Sequence, residues 1–263
     1  VVFDVDRQRV VTEIPGLPRA TGVLAVPSRH QVFVSAAGAH EVVIIDDRTL
    51  AVTARVPGVR FPDGIGYDPD HDQVFVSDES GRADVVIDAA TATRRAVIAL
   101  DGEAGNTHYD SVSHCMLVAV QTRDQLVAID PAADRIVARY DLPGSDGPHG
   151  FTLDEPDRLA FVSSEDNATL QVVDLRAMRV VAHYAVGESP DVLAWDPGWR
   201  RLYVASEGGL LSEFQLAGHT LTLVGEYRAP HAHTVAVDPQ THRVYLPLEN
   251  VNGRPVLRIL ASQ

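Results

Sequence analysis

Short runs of aliphatic and β-branched residues, broken by Gly, Pro, Asp and Asn, fill the chain from end to end. Pro148 to Gly187, PHGFTLDEPDRLAFVSSEDNATLQVVDLRAMRVVAHYAVG, shows the pattern most cleanly. GFTLD, RLAFVSS, LQVVDL and VVAHYAV read as four successive strands, separated by polar turn residues. The same unit restarts at SPDVLAWDPGWRRLYVASEG. No segment of useful length carries the 3.6-residue period of a helix.

Aligned on the second strand, the copies read VFVS from Val32, VFVS from Val74, MLVA from Met116, AFVS from Ala160, LYVA from Leu202 and VYLP from Val244. Their starts lie 42, 42, 44, 42 and 42 residues apart, the longer step falling in DLPGSDGPHG. Four strands every 40 to 45 residues is the signature of a β-propeller blade. The predicted class is therefore all-β, with residues 1–263 as a single β-propeller domain.

The chain ends bear on blade number. VVFDVDRQRVVTEIPG matches a third and fourth strand, because Ile14-Pro15-Gly16 stands 42 residues before Val56-Pro57-Gly58. The last copy supplies a first strand, a second strand and a third at PVLRIL. We expect 25 strands and favour a seven-bladed propeller whose first blade is incomplete at the N-terminus, with six blades as the alternative.

PDGIGYDPDHDQVFVS, PHGFTLDEPDRLAFVS, PDVLAWDPGWRRLYVAS and AHTVAVDPQTHRVYLPLEN resemble the repeats of YVTN-type, YncE-like β-propellers. The resemblance covers essentially the whole chain. It implies a propeller serving as an enzyme, an electron-transfer subunit or a binding scaffold. It also implies a periplasmic or secreted location.

Composition narrows the partners. The formal net charge is −14, and the 22 basic residues are all arginine. A negative surface argues against broad binding to a phosphate backbone, so no nucleic acid is expected. No apolar run approaches the roughly 18 residues of a membrane span. The single cysteine, Cys115, excludes an internal disulfide framework and reads as a structural thiol on a strand. The phosphate-binding, nucleophile-elbow, CxxC and CxxCH motifs are absent from the sequence.

In a propeller the first strand of each blade lines the central channel, and the loops entering it share a face with those after the second strand. The residues just before the first strands are Thr21, Asp63, Gly105, His149, Asp191 and His233. His231 lies two residues before His233, and His108 lies inside its strand. The loops after the second strands add Glu79, Glu165, Glu207 and Glu249. Imidazole nitrogens and carboxylate oxygens suit a divalent metal ion and acid–base work alike. The metal-ligand set expected is His149, His233, Asp63 and Asp191, with His149 and His233 also as catalytic groups. His108, His231, Glu165, Glu207 and Glu249 are the expected contacts to a small-molecule ligand at the channel mouth. A structural reading of the same positions is hydrogen bonding to neighbouring backbone, with the glutamates a solvated acidic rim.

Three functions compete: a metal-dependent lyase or hydrolase, a non-enzymatic scaffold for a protein partner on the same face, and a subunit of a redox complex. The aspartates ending the strands, such as Asp46, Asp88, Asp174, Asp68 and Asp196, read as turn residues. Trp195 and Trp199 read as packing.

Overall fold

The computed structural model describes residues Val1–Ala261. Among them are 25 strands and no α-helix. A hairpin of β1 (Val2–Asp4) and β2 (Arg9–Thr12) comes first. Sheets of four strands follow: β3 (Ala20–Val26), β4 (Gln31–Ala36), β5 (Glu41–Asp46) and β6 (Val52–Pro57); then β7 (Pro62–Asp68), β8 (Gln73–Asp78), β9 (Ala83–Asp88) and β10 (Thr93–Ala99). The third sheet is β11 (Ala104–Asp110), β12 (Cys115–Val120), β13 (Gln125–Asp130) and β14 (Arg135–Asp141). The fourth is β15 (Pro148–Asp154), β16 (Leu159–Ser164), β17 (Thr169–Asp174) and β18 (Arg179–Ala185). The fifth is β19 (Pro190–Asp196), β20 (Arg201–Ser206), β21 (Leu210–Ala217) and β22 (Thr220–Arg228). A sheet of three, β23 (Ala236–Asp238), β24 (Arg243–Val251) and β25 (Arg254–Leu260), is last. In every sheet, neighbours in sequence are neighbours in hydrogen bonding.

The expected strand count and the four-strand repeat are both present. The favoured seven blades are not: the described residues form six, five of four strands and one of three. The hairpin β1–β2 pairs only with itself and contains no buried residue. Two strands without a core of their own do not make a blade.

By its contacts the chain divides into two compact units, Val1–Tyr109 with Pro131–Arg135, and Asp110–Asp130 with Ile136 onward. In each, burial grades across the sheet. All six residues of β16 are buried, whereas β18 alternates exposed and half-buried positions. The middle strands are covered on both faces, so they are continuously apolar; the outer strand has one wet face, so it alternates. Apolar side chains of successive sheets interlock. In the first unit Phe33 and Ile44 pack with Ile65, Val76 and Val85. In the second, Phe161 and Val172 pack with Leu193, Val204 and Phe214. Trp195 joins that second cluster, its ring centroid 5.2 Å from that of Phe161, as a packing residue.

The strand-end aspartates are turn residues, as expected. Asp46 Oδ1 accepts from the backbone N–H groups of Arg48 and Thr49, and Asp196 Oδ1 accepts from Gly198. The last sheet departs from the expected register. Its first strand covers only Ala236–Asp238, and β24 runs on to Val251 before a two-residue turn at Asn252 and Gly253. Both turn residues have positive φ (55° and 83°), the geometry that twists a tight hairpin correctly and that Asn-Gly favours. Glu249 therefore stands on a strand and is exposed, not in a loop.

Candidate functional site

Two repeated backbone devices assemble the site in the second unit. The first brings neighbouring inner strands together. A Cβ on Gly150 would lie 1.6 Å from the carbonyl oxygen of Asp191, so only glycine permits β15 and β19 to approach so closely. Ser163 Oγ donates to both carbonyls, Gly150 at 3.1 Å and Asp191 at 3.4 Å. The same arrangement occurs in the first unit, where Gly22 abuts the Asp63 carbonyl and Ser35 Oγ donates to it at 2.7 Å. The close approach sets His149 beside Asp191, each the second residue of its strand.

The second device ties the turn after each second strand to the chain entering the first. Glu165 N donates to Gly147 O, and Glu207 N donates to Ser189 O, both at 2.9 Å. Each bond carries a glutamate to the entrance of an inner strand. The entering residues Gly147, Ser189 and His231 are all left-handed, with φ of 69°, 49° and 55°. His231 thus holds a turn position shared with Gly147 and Ser189; its carbonyl accepts from His233 N at 3.0 Å.

The result is a chain of five side chains centred on Asp191, which is only 4% exposed. His149 Nε2 lies 3.5 Å from Asp191 Oδ1, and His149 Nδ1 lies 3.2 Å from Glu165 Oε1. On the other side, His233 Nδ1 lies 2.5 Å from Asp191 Oδ2 and 2.7 Å from Glu207 Oε1. His149 is buried, Glu165 half-buried, and His233 and Glu207 open to solvent. The hydrogen bond to Asp191 raises the His233 pKa from 6.5 to about 9; partial burial opposes this, and Glu207 adds to it. His233 is accordingly an imidazolium at neutral pH. Three formal carboxylates outnumber the two imidazoles and leave the cluster with an excess of negative charge, which a partly dry site compensates best with a cation.

The residues present fit a divalent ion in two overlapping sets, His149–Glu165–Asp191 and Asp191–Glu207–His233, each with ligand atoms within 4.8 Å of one another. Their spacings differ. A metal at roughly 2.0–2.2 Å from N and O donors separates neighbouring donors by about 3.0–3.5 Å. The 3.5 Å between His149 Nε2 and Asp191 Oδ1 matches that spacing, whereas the 3.2 Å contact to Glu165 is made by Nδ1, the other ring nitrogen, and one ion takes His149 through only one of the two. The shorter contacts around His233 are hydrogen-bond lengths, set by a shared proton.

No protein-family model matches this sequence, and no curated protein does. Solved structures do. One is the β-propeller domain of Cps50 (Swd1) from Myceliophteria thermophila, at 14% identity and a TM-score of 0.77, covering 96% of this chain and 88% of that one. The fold is a β-propeller. A chain of a mitotic checkpoint complex aligns at 10% identity and a TM-score of 0.81, covering 99% and 81%. Hydrazine synthase of Kuenenia stuttgartiensis aligns at 13% identity and a TM-score of 0.65, covering 97% and 98%. At these identities the likeness extends to the fold alone.

Of the expected site residues, His149, Asp191, His233, Glu165 and Glu207 meet in this one cluster. Glu165 and Glu207, expected as contacts to a ligand, contribute donors to the metal-capable sets. Sequence register found both positions; that they face the imidazoles depends on the two backbone bonds above. Asp63 and His108 stand on β7 and β11 in the first unit. His231 and Glu249 belong to neither set among the described residues.

Proposed function

We propose that the cluster around Asp191 is a divalent-cation site in a propeller that processes a small molecule, by hydrolysis or by elimination. One observation carries this: a carboxylate 4% exposed lies between two imidazoles, each backed by a second carboxylate. Asp191, His149 and Glu165 are the ligands in this account. A bound divalent ion would acidify a water or polarise a substrate oxygen. His233 is gripped through Nδ1 by Asp191 and Glu207, which keeps its Nε2 to deliver a proton to a leaving group. Its exposure suits that role, and the burial of Asp191 holds the imidazolium in place.

Hydrogen-bond lengths around His233 favour a second reading, in which the cluster is a structural lock on a scaffold that binds a protein partner. The two readings part on metal content. Calorimetric titration of chelator-treated protein with Mn²⁺ and Zn²⁺ tests the first. Stoichiometric binding, weakened at least about tenfold (roughly 1.4 kcal/mol) in Asp191→Asn and in His149→Ala, is expected. Absence of binding in the wild type, or equal binding in both variants, would establish the scaffold reading instead.

A further inference from the structure

Repeat symmetry exposes a second site, because one blade departs from its sisters at three adjoining positions. On third strands the residue paired with the central second-strand aromatic or leucine is Ile44, Val86, Ala128 or Val172. In the fifth sheet it is Glu213, 7% exposed. Its partner is Tyr203, where three sister sheets have Phe33, Phe75 and Phe161. Across from it on the fourth strand is Gly225, where the others have Ala54, Ala96 and Ala182. A Cβ at Gly225 would come within 2.8 Å of Tyr227 Oη, so the glycine makes room for the tyrosine that caps Glu213.

Tyr203, Glu213 and Tyr227 border a cavity of about 420 Å³, which Trp199, Arg201 and Val224 also line, among others. That volume lies within the usual range for small-molecule sites, about 300–1,000 Å³. Arg201 Nη1 is paired with Glu213 Oε1, and Arg201 Nε donates to Gln215 Oε1 at 2.7 Å. Tyr227 Oη donates to Glu213 Oε2 at 2.8 Å. Both glutamate oxygens are thus occupied, while Arg201 Nη2 makes no hydrogen bond among the described residues. Trp199 is pinned on one face by His242, with centroids 4.2 Å apart and planes 17° apart, and is 38% exposed. An ion pair with one buried and one half-buried partner is a poor stabiliser beside the apolar packing used in the sister blades. Its retention at a cavity wall calls for a use.

We propose that this cavity binds a small aromatic carboxylate, its ring against Trp199 and Tyr227 and its carboxylate on Arg201. Arginine is the donor of choice for a carboxylate, and Glu213 fixes the guanidinium's orientation without competing for the ligand. None of the five residues of the Asp191 cluster lines the cavity, so the inference is independent of the proposed metal site.

Ligand-observed NMR and calorimetry on the whole chain test it, with phenylacetate and indole-3-acetate against phenylacetamide and benzylamine. The acids should bind with a Kd of ~1 mM or tighter, and the amide and amine at least about tenfold more weakly. Val224→Trp, a change at an exposed lining position that leaves the ion pair intact, should abolish binding. Arg201→Gln should weaken it at least about tenfold, and Asp191→Asn should leave it unchanged. No binding of either acid, equal binding of acid and amide, or binding retained by a folded Val224→Trp protein would overturn the proposal. So would binding abolished by Asp191→Asn and retained by Val224→Trp.

Discussion

At the scale of single residues, two ionisable groups dominate, with opposite consequences for stability. Asp84 stands on β9 paired with Ser77, where other third strands carry Val42, Leu126, Leu170 and Leu211. It is fully buried, with Thr107 Oγ1 donating to Oδ2 at 3.2 Å. Burial pushes its pKa from 3.8 up to about 7, against the pull of that hydrogen bond. The folded state then holds a proton that the unfolded chain has already lost. The cost sets in as pH rises above about 4 and levels off above 7. Asp84→Asn should therefore be more stable than wild type at pH 8, by on the order of 4 kcal/mol at most, and should lose that advantage towards pH 4. Denaturant unfolding at several pH values reads this directly, and a pH-independent difference would contradict it. His233 works the other way. Its raised pKa stabilises the fold fully below about 6.5, and that contribution fades as pH climbs through about 9. In metal-free protein its imidazole C2–H resonance should titrate near pH 9 and fall towards 6.5 in Asp191→Asn. A wild-type midpoint near 6.5 would show that the hydrogen bonds to Asp191 and Glu207 do not form in solution.

At the scale of strands, the inner pair β15–β19 carries the site. Gly150→Ala must push the Asp191 backbone away, since no side chain can yield to a backbone carbonyl. We expect a loss of roughly 1–3 kcal/mol, as for other overpacked positions, and with it a changed His149–Asp191 spacing. A thermal melt measures the first, and unaltered metal affinity in a destabilised Gly150→Ala protein would separate stability from site geometry. The strand pattern itself was legible: β-branched runs, turn aspartates and the second-strand pitch located nearly every element. His149, Asp191 and His233 were legible too, because each stands in register just before the apolar run of an inner strand. What the pattern did not reveal was pairing. Glu165 and Glu207 read as ligand contacts and not as partners of the imidazoles, because turns of backbone, not neighbours in sequence, aim them at His149 and His233. Glu249 was misplaced because the Asn252–Gly253 turn comes later than the repeat implies. Asp84 and Glu213 were visible as charged residues in otherwise aliphatic third strands, ADVVID beside EVVIID and LLSEFQL beside TLQVVD. Their meaning appears only once burial and cavity walls are known.

At the scale of the whole molecule, a repeat of nearly constant pitch repeats the same backbone scaffold, and function arises where the copies differ. Blade number was the whole-molecule feature that sequence misjudged. Strand count depends on local pattern, but blade count depends on what the end strands pair with, and β1–β2 pair only with each other. Anomalous diffraction from crystals grown with Mn²⁺ tests directly whether the residues gathered around Asp191 hold a metal ion. A peak is expected at a bonding distance of roughly 2.0–2.2 Å from the Asp191 carboxylate and the His149 imidazole. A map without a peak there, with His233 still hydrogen-bonded to Asp191 and Glu207, would contradict the metal site.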